Sequence, residues 1–132
     1  MKFMLMMNVP RGSGDWGVKD WKPEELKAHI EFMHSLNKEL TDAGELAAAE
    51  GLAPPNQAKI VRAGRNGLPA TDGVFPESKE FLAGYWIVDV PSAERAYEIA
   101  AKASVAPGPG GKPLIIPIEV RQVMSAPPTT DG

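Results

Sequence analysis

The carboxylates best placed for chemistry crowd into one short polar stretch. Asp72 precedes Gly73, and Glu77 and Glu80 flank Lys79. Two carboxylates held close push their pKa values apart and can divide acid and base work. Asp72 with Glu77 is therefore one candidate catalytic pair. A plainer role is also open. An Asp before Gly bonds to backbone N–H groups ahead of it, and Glu77, Lys79 and Glu80 suit a solvated, mutually paired loop. His29 is the other catalytic candidate. It falls on the apolar stripe of a helix, where a hydrogen-bonded core histidine is the commoner role. Facing a cavity beside Asp72, it would instead shuttle protons. Glu50, Arg121 and Trp16 are candidate ligand-binding residues. Arg121 suits a structural ion pair with Glu119 or another carboxylate across the sheet, or else an anionic ligand. Trp16 and Trp21 sit in or beside a Gly-rich loop. They read as a lid on core or partner, or as a stacking surface for a ligand.

The composition excludes several alternatives. There is no cysteine, hence no disulfide, thiolate metal site or cysteine nucleophile. His29 and His34 are five apart, which does not aim both at one metal. No metal and no cofactor are expected. Gly12, Gly14 and Gly17 match no phosphate loop, and no serine sits in a nucleophile elbow. The net charge of −3, without a basic patch, argues against nucleic acid. No apolar run approaches membrane-spanning length, so a cytoplasmic protein without membrane contact is expected. The 132 residues suit one domain, read as residues 1–124 with a polar tail at 125–132.

Periodicity and turn residues give the elements that must position these groups. Strands are expected at 2–9, 45–50, 81–90 and 114–124, and helices at 23–43 and 92–103. The first helix carries an apolar stripe of Leu26, Ile30, Met33, Leu36 and Leu40. The second offers Ala93, Ala96, Tyr97 and Ala100 to a sheet. A hairpin at 58–63 and 68–71 turns at Asn66-Gly67. The order predicts an α+β, ferredoxin-like βαββαβ fold with an inserted hairpin. Two crossover helices cover one face of such a sheet, yet several strands are apolar on both faces. A second copy of the sheet is the commonest cover. A homodimer is therefore expected, with its sheets face to face or closed into a dimeric α/β barrel.

Some ordered segments resemble a known family. Asp72-Gly73-Val74-Phe75, with Glu77, Lys79-Glu80 and Gly84-Tyr85, is similar to the signature of the DGPF proteins, part of the YCII-related family. Val74 stands where that signature has Pro. Glu50-Gly51-Leu52 with Pro54 resembles a short upstream motif, with Ala49 in place of its first Gly, and residues 118–123 resemble the terminal strand. The resemblance implies a ferredoxin-like fold and a dimeric α/β barrel. In the wider group a His–Asp pair has been proposed as a catalytic site, which carries over to Asp72 and, on the first helix, to His29. Some members occur with extracytoplasmic-function sigma factors. Two functions are expected from all this. One is cofactor-free proton transfer or hydrolysis on a small organic molecule by Asp72 with His29 or Glu77. The other is a non-catalytic ligand- or partner-binding module linked to sigma-factor regulation.

Overall fold

A computed structural model of the chain describes residues 1–10, 21–72 and 80–124. Alternation shapes its first strand, β1 (Lys2–Pro10). Phe3, Leu5, Met7 and Val9 are buried on one face, while Met4, Met6 and Asn8 are half-exposed on the other. Helix α1 (Pro23–Asp42) opens with proline in its first turn, where the missing N–H is not needed. Glu25 reaches back to accept from the Lys22 N–H at 2.8 Å. Gly44, at φ 72°, follows the helix in the left-handed region that glycine tolerates. Then come β2 (Leu46–Gly51), the hairpin β3 (Ile60–Ala63) and β4 (Pro69–Asp72), and β5 (Glu80–Asp89). Helix α2 (Ala93–Ser104) is capped by Ser92, whose hydroxyl accepts from the Arg95 N–H. Strand β6 (Ile118–Gln122) follows.

Four strands form an antiparallel sheet in the order β2-β5-β1-β6, and β3 and β4 pair separately. This α+β architecture is compatible with a ferredoxin-like fold. Both helices pack on one face of the sheet. Leu36 and Leu40 from α1, and Ala96, Ile99, Ala100 and Ala103 from α2, share one core with Leu5, Trp86 and Val88. The other face carries Met4, Met6, Ala48, Leu82, Tyr85 and Ile87, all half-exposed, and no described helix covers it.

Three expectations need correction. Strand β6 starts at Ile118, not 114. Pro113 and Pro117 cannot donate to a ladder, and Ile115 has φ 53°, far from extended. On α1 the buried positions are His29, Leu36 and Leu40, with Phe32 and Met33 packed beside them, whereas Ile30 is 43% exposed. On α2 Ile99 is buried and Tyr97 lies outside at 55% exposure, because the sheet meets the 96/99/100/103 stripe.

One ion pair ties the start of β2 to α2. Arg95 Nε and Nη2 donate to the two carboxylate oxygens of Glu45, each at 2.8 Å. This fork is mostly shielded from water, and the guanidinium holds the Glu45 carboxyl below its usual range. A depressed carboxyl contributes stability above its unfolded pKa, about 4.3, and loses it as pH falls through the folded value. Glu45→Gln is therefore expected to cost about 1–2 kcal/mol at neutral pH. Urea unfolding of both proteins should show that deficit shrinking towards pH 3. A deficit independent of pH would mean that the charge is not what stabilises the pair.

Candidate functional site

A cleft of about 220 Å³ opens between α1 and the β2–β5–β1 part of the sheet. Helix α1 presents His29, Met33 and Asn37 to it, spaced four residues apart and hence on one face. Met7, Ala83, Gly84 and Trp86 come from the central strands, and Ala49, Glu50 and Gly51 from β2. Gly84 makes the close strand approach possible: a Cβ there would stand 2.9 Å from the Glu50 carbonyl oxygen. The lining is mainly apolar, with a few polar groups, as small-molecule sites usually are.

Hydrogen bonds hold the His29 and Asn37 side chains in place. His29 is buried, and its Nδ1 lies 3.0 Å from the Pro107 carbonyl oxygen. A carbonyl only accepts, so Nδ1 carries the proton in this contact. Trp21 meets the same imidazole in a T-shaped pair, with ring centroids 5.5 Å apart and planes at 81°. Glu25, one turn earlier on α1, accepts from the backbone N–H of Gly110. Together these bonds fasten the Pro/Gly-rich loop after α2 across the start of α1. The Gly110 and Lys22 N–H groups lower the Glu25 carboxyl pKa. On the far side, Trp86 Nε1–H donates to Asn37 Oδ1 at 2.8 Å. That bond orients the amide so that its NH₂ remains the donor end.

His29 and Glu50 border the same cleft. The carboxylate of Glu50 does not join the imidazole. Trp86 faces α1, Glu50 pairs in register with its neighbour Tyr85, and strand alternation turns both Glu50 and Tyr85 to the opposite face. Asp72 ends β4, pairs with Ile60 across the hairpin and is exposed. It is not among the described residues that line the His29 cleft. Arg121, expected inside a strand as a buried charge, is exposed, because β6 is an edge strand and Arg121 lies opposite Met4 on the uncovered face. Glu77 and Trp16 lie outside the described residues, and so does any pairing of Asp72 with Glu77.

Asn37, Met33 and Trp86 were not singled out as site residues from the sequence. The signal was present on α1: His29, Met33 and Asn37 recur at helical spacing, a polar residue at each end of an apolar one. Nothing local in the sequence announced the Trp86–Asn37 bond, which spans 49 positions. Among the described residues, no group of three or more His, Asp or Glu could hold a metal ion. No described helix is long and apolar enough to cross a membrane.

A family model described as the YCII-related domain matches residues 1–108. An uncharacterized protein of Rhizobium meliloti (strain 1021) is 27% identical over 84 residues, which cover 64% of this chain and 68% of that protein.

Proposed function

The chain belongs to the YCII-related family, and from that premise we propose that it is a homodimeric small-molecule-binding protein. The observation that carries the reading is the lining of the α1 cleft. Trp86, Met7, Met33 and Ala83 give it an apolar wall. Asn37 supplies an oriented donor, and His29 is its one titratable group among the described residues whose side chain is not turned away by strand alternation. Acid and base chemistry by a carboxylate pair would need a second such group. The volume is below the roughly 300–1,000 Å³ of clefts that take drug-sized ligands. The ligand class is therefore a small, mostly apolar molecule with one hydrogen-bond acceptor for the Asn37 amide.

Exposed apolar residues support the dimer. Met4, Met6, Tyr85 and Ile87 form a continuous patch on the sheet face that no described helix covers. A closed two-fold pair hides such a patch on both copies at once.

One observation favours a catalytic variant of the same site. The Pro107 carbonyl holds the His29 ring in a set orientation, as an orienting acceptor does for a general acid or base. His29→Gln separates the two readings: binding survives in both, and turnover of the bound compound is lost only in the second.

Met33→Trp is the direct test of the site. It fills the cleft from α1, so compounds that raise the melting temperature of the native chain should bind at least about tenfold more weakly, read as the higher concentration needed for the same shift. The screen uses small ketones, esters and aryl ethers. A full shift retained in Met33→Trp would place their binding elsewhere and remove the basis of the proposal.

A further inference from the structure

We propose that the β3–β4 hairpin is a basic arm that docks on a second copy of the chain, at the acidic end of that copy's uncovered sheet face. The inference rests on the homodimer reading above and adds what the hairpin does in it.

Among the described residues, nothing covers the hairpin. Every residue of β3 and β4 is exposed except the half-buried Ile60. Val61 is 58% exposed, and Leu68, beside the turn, is 62% exposed. By the register, Val61, Ala63, Pro69 and Thr71 share one face, which is almost wholly apolar. An isolated two-stranded ribbon is at best marginally stable in water and needs a surface to lie on.

Its charge says which surface. Lys59, Arg62 and Arg65 outweigh Asp72 at its base and make it basic, and none of the three forms an ion pair with a carboxylate among the described residues. The complementary group is on the sheet. Glu50, Glu80 and Glu119 lie towards one end of the uncovered face, also without a described ion-pair partner. Glu80 and Glu119 border one depression with Asn8. Glu50 and Glu119 occupy one cross-strand row, through Tyr85 and Met6. The opposite end of the face is mixed, with Lys2 and Arg121 near an Asp89 already paired to the Met1 amino group.

The topology brings arm and acids together. Strand β2 ends and β5 begins at the acidic end, so the hairpin between them is rooted there. A two-fold axis running along the strands superposes like ends and lays β2 of one copy over β6 of the other. Glu50 of each copy then faces Glu119 of the other, a like-charge contact that disfavours association. The arms entering from both copies supply the cations that neutralise it. An axis across the strands would instead carry each arm to the mixed end, where it finds no excess of acid.

Sedimentation of the full chain tests this with charge exchange. K59E/R62E/R65E on the arm and E50K/E80K/E119K on the sheet should each weaken the dimer by about tenfold or more. Combining the two sets should restore it to within a few-fold of the native constant. Should the combined variant fail to fold, replacing residues 59–71 by a short Gly/Ser linker gives the second readout, again a weakened dimer. An arm triple variant that dimerises as tightly as the native chain overturns the inference while leaving the dimer standing. A native chain that sediments as one copy overturns the dimer reading itself, and the arm with it.

Discussion

Ile87→Asp will weaken self-association by at least about 100-fold while leaving the single chain folded. Ile87 lies in the second half of β5 on the uncovered face, between Met4 of β1 and Ala48 of β2. It is half-exposed in the single chain, so a carboxylate there stays hydrated and costs the monomer little. In a two-fold dimer the same carboxylate appears twice, in the middle of an apolar contact. Removing each from water without a partner costs several kcal/mol. Ile87→Ala should be milder, since it removes apolar area without adding charge. Sedimentation equilibrium over a concentration series reads the difference. Equal dissociation constants for the native chain and Ile87→Asp would mean that the copies meet on some other surface.

Gly84→Ala is expected to destabilise the fold by about 1–3 kcal/mol and to close part of the cleft. The added methyl would stand 2.9 Å from the Glu50 carbonyl oxygen and 3.4 Å from Gly51 Cα. Both neighbours are backbone and cannot rotate away, so β2 must move off β5. Gly84, Glu50 and Gly51 all line the cleft, and the shift would be felt at the ligand as well as in stability. Gly51→Ala is the control. A methyl added there would meet nothing within 4 Å, and the backbone at Gly51 is not left-handed, so the change should stay within about 0.5 kcal/mol. Urea midpoints for the two variants decide the matter. Equal midpoints would show that the β2–β5 spacing relaxes easily in solution.

The fold was legible where a pattern repeats over many residues. The alternation in β1 and β5 and the 3.6-residue stripes of the helices placed four of the main elements to within a residue or two of their observed bounds. The uncovered apolar face could be inferred from two-sided strands combined with too few helices. The site was harder to read, because its contacts join distant segments. His29 was visible as a histidine on an apolar stripe, but its acceptor is the Pro107 carbonyl, 78 positions away, and any residue type supplies a carbonyl. Glu50 stood out as a charge before glycine. Its pairing with Tyr85, which turns it from the cleft, depends on a register set by an irregularity between Leu46 and Ala48. Arg121 was a candidate buried charge from its place inside a strand. The strand's place at the sheet edge, which a local pattern does not encode, exposes it.

The position of β1 also bears on how the chain is made. Strand β1 sits second from one edge of the sheet, and both of its partners lie far downstream in the sequence: β5 at Glu80–Asp89 and β6 at Ile118–Gln122. Its two-sided methionine-rich surface therefore stays unpaired through most of synthesis. Strands of this kind, closed only by distant sequence, fold slowly and are open to aggregation meanwhile. For this protein the hazard is expected to fall on the nascent chain, in the interval before β5 emerges to pair with β1.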